Sequence, residues 1–179
     1  MSAHATGSGT PGDALAAVCA LTRASTNAAA VSLALVEDAA LHYVAADGAG
    51  ADVIVGTRLA AGRGIAGFVA ATGQSLTVRD PAADPRHARD VSAATGYTPA
   101  VIQCLPVDGR DGEVAAVLSI LDGTAPSVPL GAVVALVADL IGRASDEPDT
   151  IGLRLARMAP DARAKATVAI SAILDALER

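Results

Sequence analysis

Cys104 and His87 are the side chains of this sequence with the widest chemical repertoire, because thiols can react or bind metal and imidazoles can move protons. A reactive thiol needs a pKa lowered by a nearby cation or helix N-terminus, and the sequence places neither beside Cys104. We therefore expect a buried strand cysteine, with a redox-sensing thiol as the alternative. His87 lies in a polar segment, where we expect a half-solvated loop histidine, with a ligand contact as the alternative.

Cys19, the second of two cysteines, lies with Leu15, Val18 and Thr22 at the spacing of one helix face. It is expected to be a small buried side chain, as free cysteines commonly are. Neither cysteine belongs to a CxxC pair or has a histidine close in sequence, so no metal site is predicted. Two cysteines do not form a disulfide framework, which indicates a reducing, cytoplasmic location.

No catalytic set is recognisable in the sequence. Ser32, Thr77 and Ser119 have no histidine that the sequence can place beside them, and no HExxH, phosphate-binding loop or nucleophile elbow occurs. Glycines in the run 62–67 have the spacing of a dinucleotide fingerprint. However, no apolar strand leads directly into that run and no acidic residue follows at the expected distance. The sequence therefore predicts a protein without enzymatic activity.

Composition restricts the class of protein further. The 179 residues are 52% hydrophobic but only 2% aromatic, so Ala, Val, Leu and Ile must fill a core large enough for one domain. A net charge of −6 with scattered basic residues argues against a nucleic-acid surface. The longest helical apolar run, 130–141, is too short to span a bilayer and contains Asp139. The apolar run 15–21 lacks the positively charged start of a signal peptide.

Periodicity and turn residues predict the following order of elements. A helix is expected over 11–23 and a short one over 65–71, while Ser127 is the expected N-cap of a helix that ends near Arg143. Strands are predicted over 30–37, 41–46, 76–78, 100–107 and 113–121. The segment 52–59 is ambiguous between strand, short helix and irregular structure. A long polar loop is expected between the third and fourth of these strands.

The ends of the chain are expected to differ from its middle. Residues 1–10 are small and polar and are predicted to be a disordered N-terminus. Residues 11–144 are predicted to form the folded domain with its flanking N- and C-terminal helices. Residues 145–179 are predicted to be a hinge followed by a C-terminal helical tail, in which 161–177 is amphipathic.

The run from Gly62 to Val107 resembles the GAF domain, a small-molecule-binding and dimerising module of signalling proteins. The elements that carry this resemblance, in the family's order and spacing, are Gly62-Arg63-Gly64-Ile65-Ala66-Gly67, Thr72-Gly73, Asp80, Asp84-Pro85-Arg86, Thr95-Gly96-Tyr97 and Leu105-Pro106-Val107. The resemblance covers roughly residues 12–144. It implies an α+β fold with a GAF/PAS-like antiparallel sheet, helices packed on one face, and extra C-terminal helices.

The resemblance also implies a ligand site between the sheet and the loop that runs from Asp80 to Gly96. The candidate ligand-binding residues are Ile65, Phe68, Asp84, His87, Tyr97, Ile102, Cys104 and Ser119. Asp84 also has a structural interpretation, since it can cap the turn before Pro85 while Arg86 bridges to a carboxylate.

Several family ligands find little support in this sequence. His87 stands where the family pattern has Phe, and the Asn and Lys of cyclic-nucleotide-binding relatives have no convincing match. Neither cysteine is followed by the histidine typical of bilin attachment. The loop lacks the cysteines of free methionine sulfoxide reductases. The identity of any cofactor is left open.

The function that follows is a non-catalytic regulatory domain that binds a small-molecule ligand. It is expected to form a homodimer through its terminal helices and to act on a separate output protein, without nucleic acid or membrane as partner. Two alternatives stay open: a dimerising scaffold with a vestigial pocket, and a haem or redox sensor that uses His87 or Cys104.

Overall fold

A six-stranded antiparallel sheet is the central element of the computed structural model, which describes residues 11–60 and 62–146. The strands are β1 (Ala30–Glu37), β2 (Ala40–Gly48), β3 (Arg58–Ala60), β4 (Leu76–Arg79), β5 (Val101–Asp108) and β6 (Val114–Leu121). The helices are α1 (Pro11–Thr26), α2 (Ala51–Ile54), α3 (Gly64–Thr72), α4 (Arg89–Thr95) and α5 (Leu130–Asp146), with a 3₁₀ turn at Pro81–Ala83. The strand order is β3-β2-β1-β6-β5-β4, and the predicted α+β class is confirmed.

The sheet is buried on both faces, and side-chain alternation sorts its residues into two cores. On β1, Val31, Leu33 and Leu35 lie in the core beneath α1 and α5. Ala34 and Val36 point to the opposite face, which is covered by the short helices, so the predicted alternation is confirmed. The first core also contains Leu15, Cys19, Val107, Leu118 and Val137.

The second core is less regular, because short elements cover it instead of long helices. Leu41 and Tyr43 of β2, Val117 of β6, and Ile65 and Val69 of α3 form its centre. The helix α3 ends at Gly73 in a left-handed conformation, as the sequence predicts. The candidate site lies on this face of the sheet.

The structure corrects or completes the predicted elements at three places. The helix α5 begins at Leu130, and the Ser127 hydroxyl donates to the carbonyl of Ser25 instead of capping the helix. The ambiguous segment 52–59 contains the end of α2 and the start of β3. About half of the predicted loop is helical, because it contains the 3₁₀ turn and α4. A helix of seven residues has too little periodicity to be recognised from sequence and depends on tertiary contacts.

The closely spaced glycines before and within α3 serve the backbone and its packing. Gly62 and Gly64 have φ values of 73° and 75°, a region that L side chains rarely adopt. A Cβ on Gly67 would lie 3.0 Å from the carbonyl carbon of Gly62, so α3 packs directly on the preceding turn. The spacing that resembles a dinucleotide fingerprint therefore reflects a tight turn into a helix.

The predicted disordered N-terminus and C-terminal tail, residues 1–10 and 147–179, lie outside the described residues. Residues 145 and 146, predicted to begin the hinge, instead belong to α5. Within 11–60 and 62–146, no helix has the length and apolar character needed to cross a bilayer.

We predict that Gly67→Ala lowers the free energy of unfolding by about 1 to 3 kcal/mol, since the added methyl overpacks against the backbone of Gly62. Gly131→Ala is the matched control, because nothing lies within 4 Å of its Cβ position in α5. That variant should be neutral or gain roughly 0.5 kcal/mol from reduced backbone entropy. Urea unfolding measures both values, and equal effects at the two positions would contradict the packing role of Gly67.

Candidate functional site

A cavity lies between the second face of the sheet and the segment 80–100, which we call the lid. Its volume is about 100 Å³. It is lined by residues of the sheet, the short helices and the lid: Ala30, Val31, Ser32, Tyr43, Ala46, Ala49, Gly50, Ile54, Leu59, Gly64, Ile65, Ala66, His87, Ala88, Val91, Ser92, Thr95, Tyr97, Pro99, Ile102, Cys104, Ser119 and Leu121. An apolar wall with a few polar groups is the usual form of a small-molecule site.

A row of three small polar side chains forms part of the cavity floor. Ser32 of β1 pairs with Ser119 of β6, and Ser119 pairs in turn with Cys104 of β5. Because directly paired residues of an antiparallel sheet project to the same face, the three side chains lie side by side. The Cys104 Sγ and Ser119 Oγ atoms are 3.3 Å apart, within hydrogen-bond distance. We call this set the floor row.

Two hydroxyls at this site have no hydrogen-bond partner within the described part of the chain. Ser32 is 8% exposed and Tyr43 is 7% exposed, and both line the cavity. Burial raises the pKa of Tyr43, with a smaller contribution from Cys104, so its hydroxyl is protonated at neutral pH. Neither oxygen is among the fully enclosed unpartnered atoms of the described residues, so both hydroxyls are open to the cavity. Both groups can therefore donate to a molecule in the cavity.

The lid is closed at its base by backbone hydrogen bonds to the end of the sheet. The Asp80 N–H donates to the Ala100 carbonyl at 2.8 Å, which joins the two ends of the segment. The Asp122 carboxylate accepts from the N–H groups of Ala100 and Val101 at 2.8 and 2.7 Å. It also accepts from the Tyr97 hydroxyl, and this hydrogen bond raises the pKa of Tyr97 to about 12. Asp122 thus holds the lid against the end of β6.

A second set of polar contacts shapes the outer part of the lid. Arg86 donates to both carboxylate oxygens of Asp84, at 3.0 and 2.7 Å, and its backbone N–H donates to the same side chain at 2.9 Å. These hydrogen bonds lower the pKa of Asp84 to about 2. The Arg86 guanidinium lies 4.7 Å from the ring centre of Phe68. The structural interpretation of Asp84 as a turn-capping residue is confirmed, and the carboxylate that Arg86 contacts is that of Asp84 itself.

The structure brings six of the eight candidate ligand-binding residues to the cavity wall: Ile65, His87, Tyr97, Ile102, Cys104 and Ser119. Phe68 and Asp84 do not line it. They belong to the Arg86 contacts on the outer side of the lid. His87 is half-buried, as expected for a loop histidine, and its Nε2 lies 2.9 Å from the Ser92 hydroxyl.

Sequence reasoning did not identify Ser32, Tyr43, Ser92 and Thr95 as cavity residues. Alternation along β1 places Ser32 on the same face as Ala34, which was the available signal. The register that puts Ser32 beside Ser119 joins residues far apart in the chain, and no local pattern specifies it. Ser92 and Thr95 belong to α4, which was expected to be loop.

Both thiols are buried, as predicted. Burial raises the pKa of Cys104 to about 11, although the hydrogen bond with Ser119 acts in the opposite direction. Burial, with a contribution from Asp47, raises the pKa of Cys19 to about 12. A thiolate is the reactive and metal-binding form, so neither environment activates its cysteine. Across residues 11–60 and 62–146, no three His, Cys, Asp or Glu side chains converge to hold a metal ion.

Comparison with known proteins places these features in a family. The sequence pattern of the GAF domain matches residues 10–144. A probable 3',5'-cyclic phosphodiesterase from Caenorhabditis elegans is 44% identical over 45 residues, which are 25% of this chain and 6% of that protein. A cGMP-specific 3',5'-cyclic phosphodiesterase from Drosophila mojavensis is 35% identical over 63 residues, or 35% of this chain and 6% of that protein. The matched segments thus span a small part of these relatives.

Solved structures share the fold at low sequence identity. The GAF domain of a phosphoenolpyruvate-protein phosphotransferase from Coxiella burnetii is 19% identical, with a TM-score of 0.65 over 78% of this chain and 87% of that chain. A free methionine-R-sulfoxide reductase from Neisseria meningitidis is 21% identical, with a TM-score of 0.59 over 75% of this chain and 81% of that chain. At these identities the comparison defines the fold only.

We predict that both thiols react slowly in the native protein. At pH 8 the raised pKa of Cys104 lowers its thiolate fraction roughly 10²-fold relative to an ordinary cysteine. Labelling with Ellman's reagent should therefore be at least that much slower than in guanidinium, where both cysteines react. Cys19→Ser and Cys104→Ser variants assign the remaining reactivity. Rapid native labelling of Cys104 would contradict the buried-thiol assignment and favour the redox-sensor alternative.

Proposed function

Because this chain belongs to the GAF domain family, we propose that it is a non-catalytic regulatory domain that binds a small molecule in the cavity beneath its lid. GAF domains in general bind small molecules in signalling proteins. The observation that carries the proposal is a mostly apolar cavity lined by Ser32 and Tyr43, two largely buried residues whose hydroxyls make no hydrogen bond with any described residue. Such groups are normally satisfied by protein, water or ligand.

The side chains at the cavity support binding over catalysis. Ser92 and His87 form a hydroxyl–imidazole pair, but no carboxylate among the described residues hydrogen-bonds to the other ring nitrogen to orient it. Nucleophilic catalysis by such a pair usually needs that third group. The Cys104 thiol has a raised pKa, and its hydrogen-bond partner is the Ser119 hydroxyl and not a basic side chain. These environments suit recognition of a ligand without covalent chemistry.

The route from the lid to the terminal helices passes around the end of β6. Asp122, which holds Tyr97, is followed by a segment whose Thr124 N–H and hydroxyl both donate to the Thr26 carbonyl, at 2.7 and 2.9 Å. Ser127 donates from its N–H to the Ser25 carbonyl at 3.0 Å. The segment then enters α5. We infer that a change in lid position reaches the C-terminal end of α1 and the start of α5 through these contacts.

The outer surfaces of α1 and α5 support a homodimer that forms through the terminal helices. Leu21 of α1 is 69% exposed and Leu136 of α5 is 47% exposed, which is unusual for leucines on helices that otherwise pack on the sheet. Ala16 and Ala17 of α1 are exposed as well and permit close helix approach. Ligand binding would then act on a separate output protein by shifting the population of dimer states.

We predict that native mass spectrometry of gently purified full-length protein gives a dimer that carries a discrete small-molecule mass. Leu21→Glu should convert it to a monomer, because a charged side chain cannot be buried unpaired in the interface. Glu substitution at Ala71, an exposed residue of α3 on the other face, is the control and should leave the dimer intact. A dimer that stays free of ligand under all gentle conditions would favour the scaffold alternative.

We predict that Tyr97→Phe loosens the lid and the segment beyond β6 together. The loss of a hydrogen bond to the Asp122 carboxylate should lower stability by about 1 to 3 kcal/mol. Hydrogen exchange should speed up at the Thr124 and Ser127 amides. Arg63→Gln is the matched control, since it breaks the exposed Arg63–Asp90 ion pair at the lid without contacting Asp122. Unchanged exchange at both amides in Tyr97→Phe would contradict the proposed route.

A further inference from the structure

We propose that the ligand of this cavity is a compact, electrically neutral molecule with an apolar body and one hydrogen-bonding end, which the Ser32 and Tyr43 hydroxyls receive. This inference rests on the proposed ligand-binding function and specifies the chemical class of the ligand. It excludes nucleotides and other phosphate-bearing molecules from the cavity in its observed shape. Three properties of the cavity carry it: size, charge and the positions of its free hydroxyls.

Size is the first property. The cavity volume is about 100 Å³. A buried water needs roughly 10 to 15 Å³ on this measure, so the cavity offers roughly seven to ten water-sized positions. A ligand with about that many non-hydrogen atoms fills it, whereas drug-sized ligands occupy pockets of about 300 Å³ or more.

Charge is the second property. Among the residues that the structure describes, no Asp, Glu, Lys or Arg lines the cavity. His87 is the only basic side chain among the described lining residues, and its Nε2 already lies 2.9 Å from the Ser92 hydroxyl. A charged ligand group buried there would lose its hydration and meet at most this one imidazole. Gly64, Ile65 and Ala66, the first residues of α3, line the cavity, so the N-terminal end of this helix contributes a partial positive charge there. A partial charge suits the carbonyl or hydroxyl oxygen of a neutral ligand.

Three nearby arginines, Arg63, Arg86 and Arg89, do not line the cavity and do not supply the missing charge. Arg63 pairs with Asp90 at 2.8 Å, and Arg86 pairs with Asp84 at 2.7 Å. Arg89 donates to the Ala82 carbonyl at 3.3 Å. The three arginines line a separate surface groove on the outer side of residues 85–90. The charges of Arg63 and Arg86 are already paired with carboxylates.

The free hydroxyls are the third property. Ser32 and Tyr43 are both more than nine-tenths buried, border the cavity, and make no hydrogen bond with any described residue. They lie on the adjacent strands β1 and β2, and because Tyr43 pairs with Ala34, which shares a face of β1 with Ser32, both side chains project to the cavity face of the sheet. Apolar side chains from other elements also line the cavity, among them Ile65 of α3, Val91 of α4 and Ile102 of β5, and they fit a ring or branched chain.

Matched probe pairs that differ only in charge test this inference: benzamide with benzoate, and butyramide with butyrate. Each probe is titrated into the 179-residue protein, and the backbone amide resonances of the protein are followed by NMR. We expect benzamide and butyramide to bind and to shift the resonances of Ser32, Tyr43 and Ser119. Their affinities should be at least tenfold above those of benzoate and butyrate. The double variant Ser32→Ala/Tyr43→Phe should bind the amides at least fivefold more weakly, while Ser75→Ala, at an exposed hydroxyl outside the cavity, should bind them normally.

The outcomes separate this inference from the proposal on which it rests. Carboxylates that bind in the cavity as tightly as the amides would overturn the neutral-ligand class but leave ligand binding intact. Amide binding that is unaffected by the double variant would overturn the assigned role of the two hydroxyls. An absence of cavity shifts with all four probes would overturn both proposals. Chemical-shift dispersion of each variant provides the check that it is folded.

Discussion

Burial of the sheet on both faces is the constraint on which the rest of this structure depends. Strands β1 and β6 occupy the centre of the sheet, so every residue along them must suit one of two different coverings. One covering is a pair of long helices, α1 and α5, whose apolar faces fill the space between them and the strands. The other is made of short helices and a long connection, which fill the space incompletely. The cavity is the volume that these short elements leave.

Small side chains contribute to the same result. The chain has one Phe, two Tyr and no Trp, so few side chains are large enough to reach across from the lid to the sheet. Ser32 of β1 and Ala46 of β2 line the floor with small side chains, while Tyr43 of β2 provides a large side chain beside them. An interior rich in Ala and Val packs densely beneath the long helices α1 and α5 but leaves gaps beneath the irregular elements of the other face.

The sheet could be predicted from the sequence more fully than the site. Alternation along β1 and β6 is a local property, and the turns that join the strands carry their own residue signals, so strand positions followed from short segments. Ser32, in contrast, belongs to the site only because β1 pairs with β6 at a register fixed by the whole fold. The helix α4 was missed for the same reason, since contacts with its neighbours stabilise it and its sequence alone does not. Phe68 of α3 and Asp84 of the lid were expected near a ligand because the family resemblance implies a site between the sheet and this loop. Neither lines the cavity, since both contact Arg86.

The floor row has a further consequence for how such a protein can change during evolution. Its three members, Ser32, Ser119 and Cys104, are neighbours on three adjacent strands, and each is among the smallest polar side chains. Exchange of either serine for alanine or threonine, or of Cys104 for serine, would alter the depth or polarity of the floor by an atom or two while the backbone ladder stays the same. Single-nucleotide changes in a gene could therefore move ligand preference in small steps across descendant proteins. The packing of α1 and α5 on the other face of the sheet would stay the same. Ligand specificity could therefore change without any change in those helices.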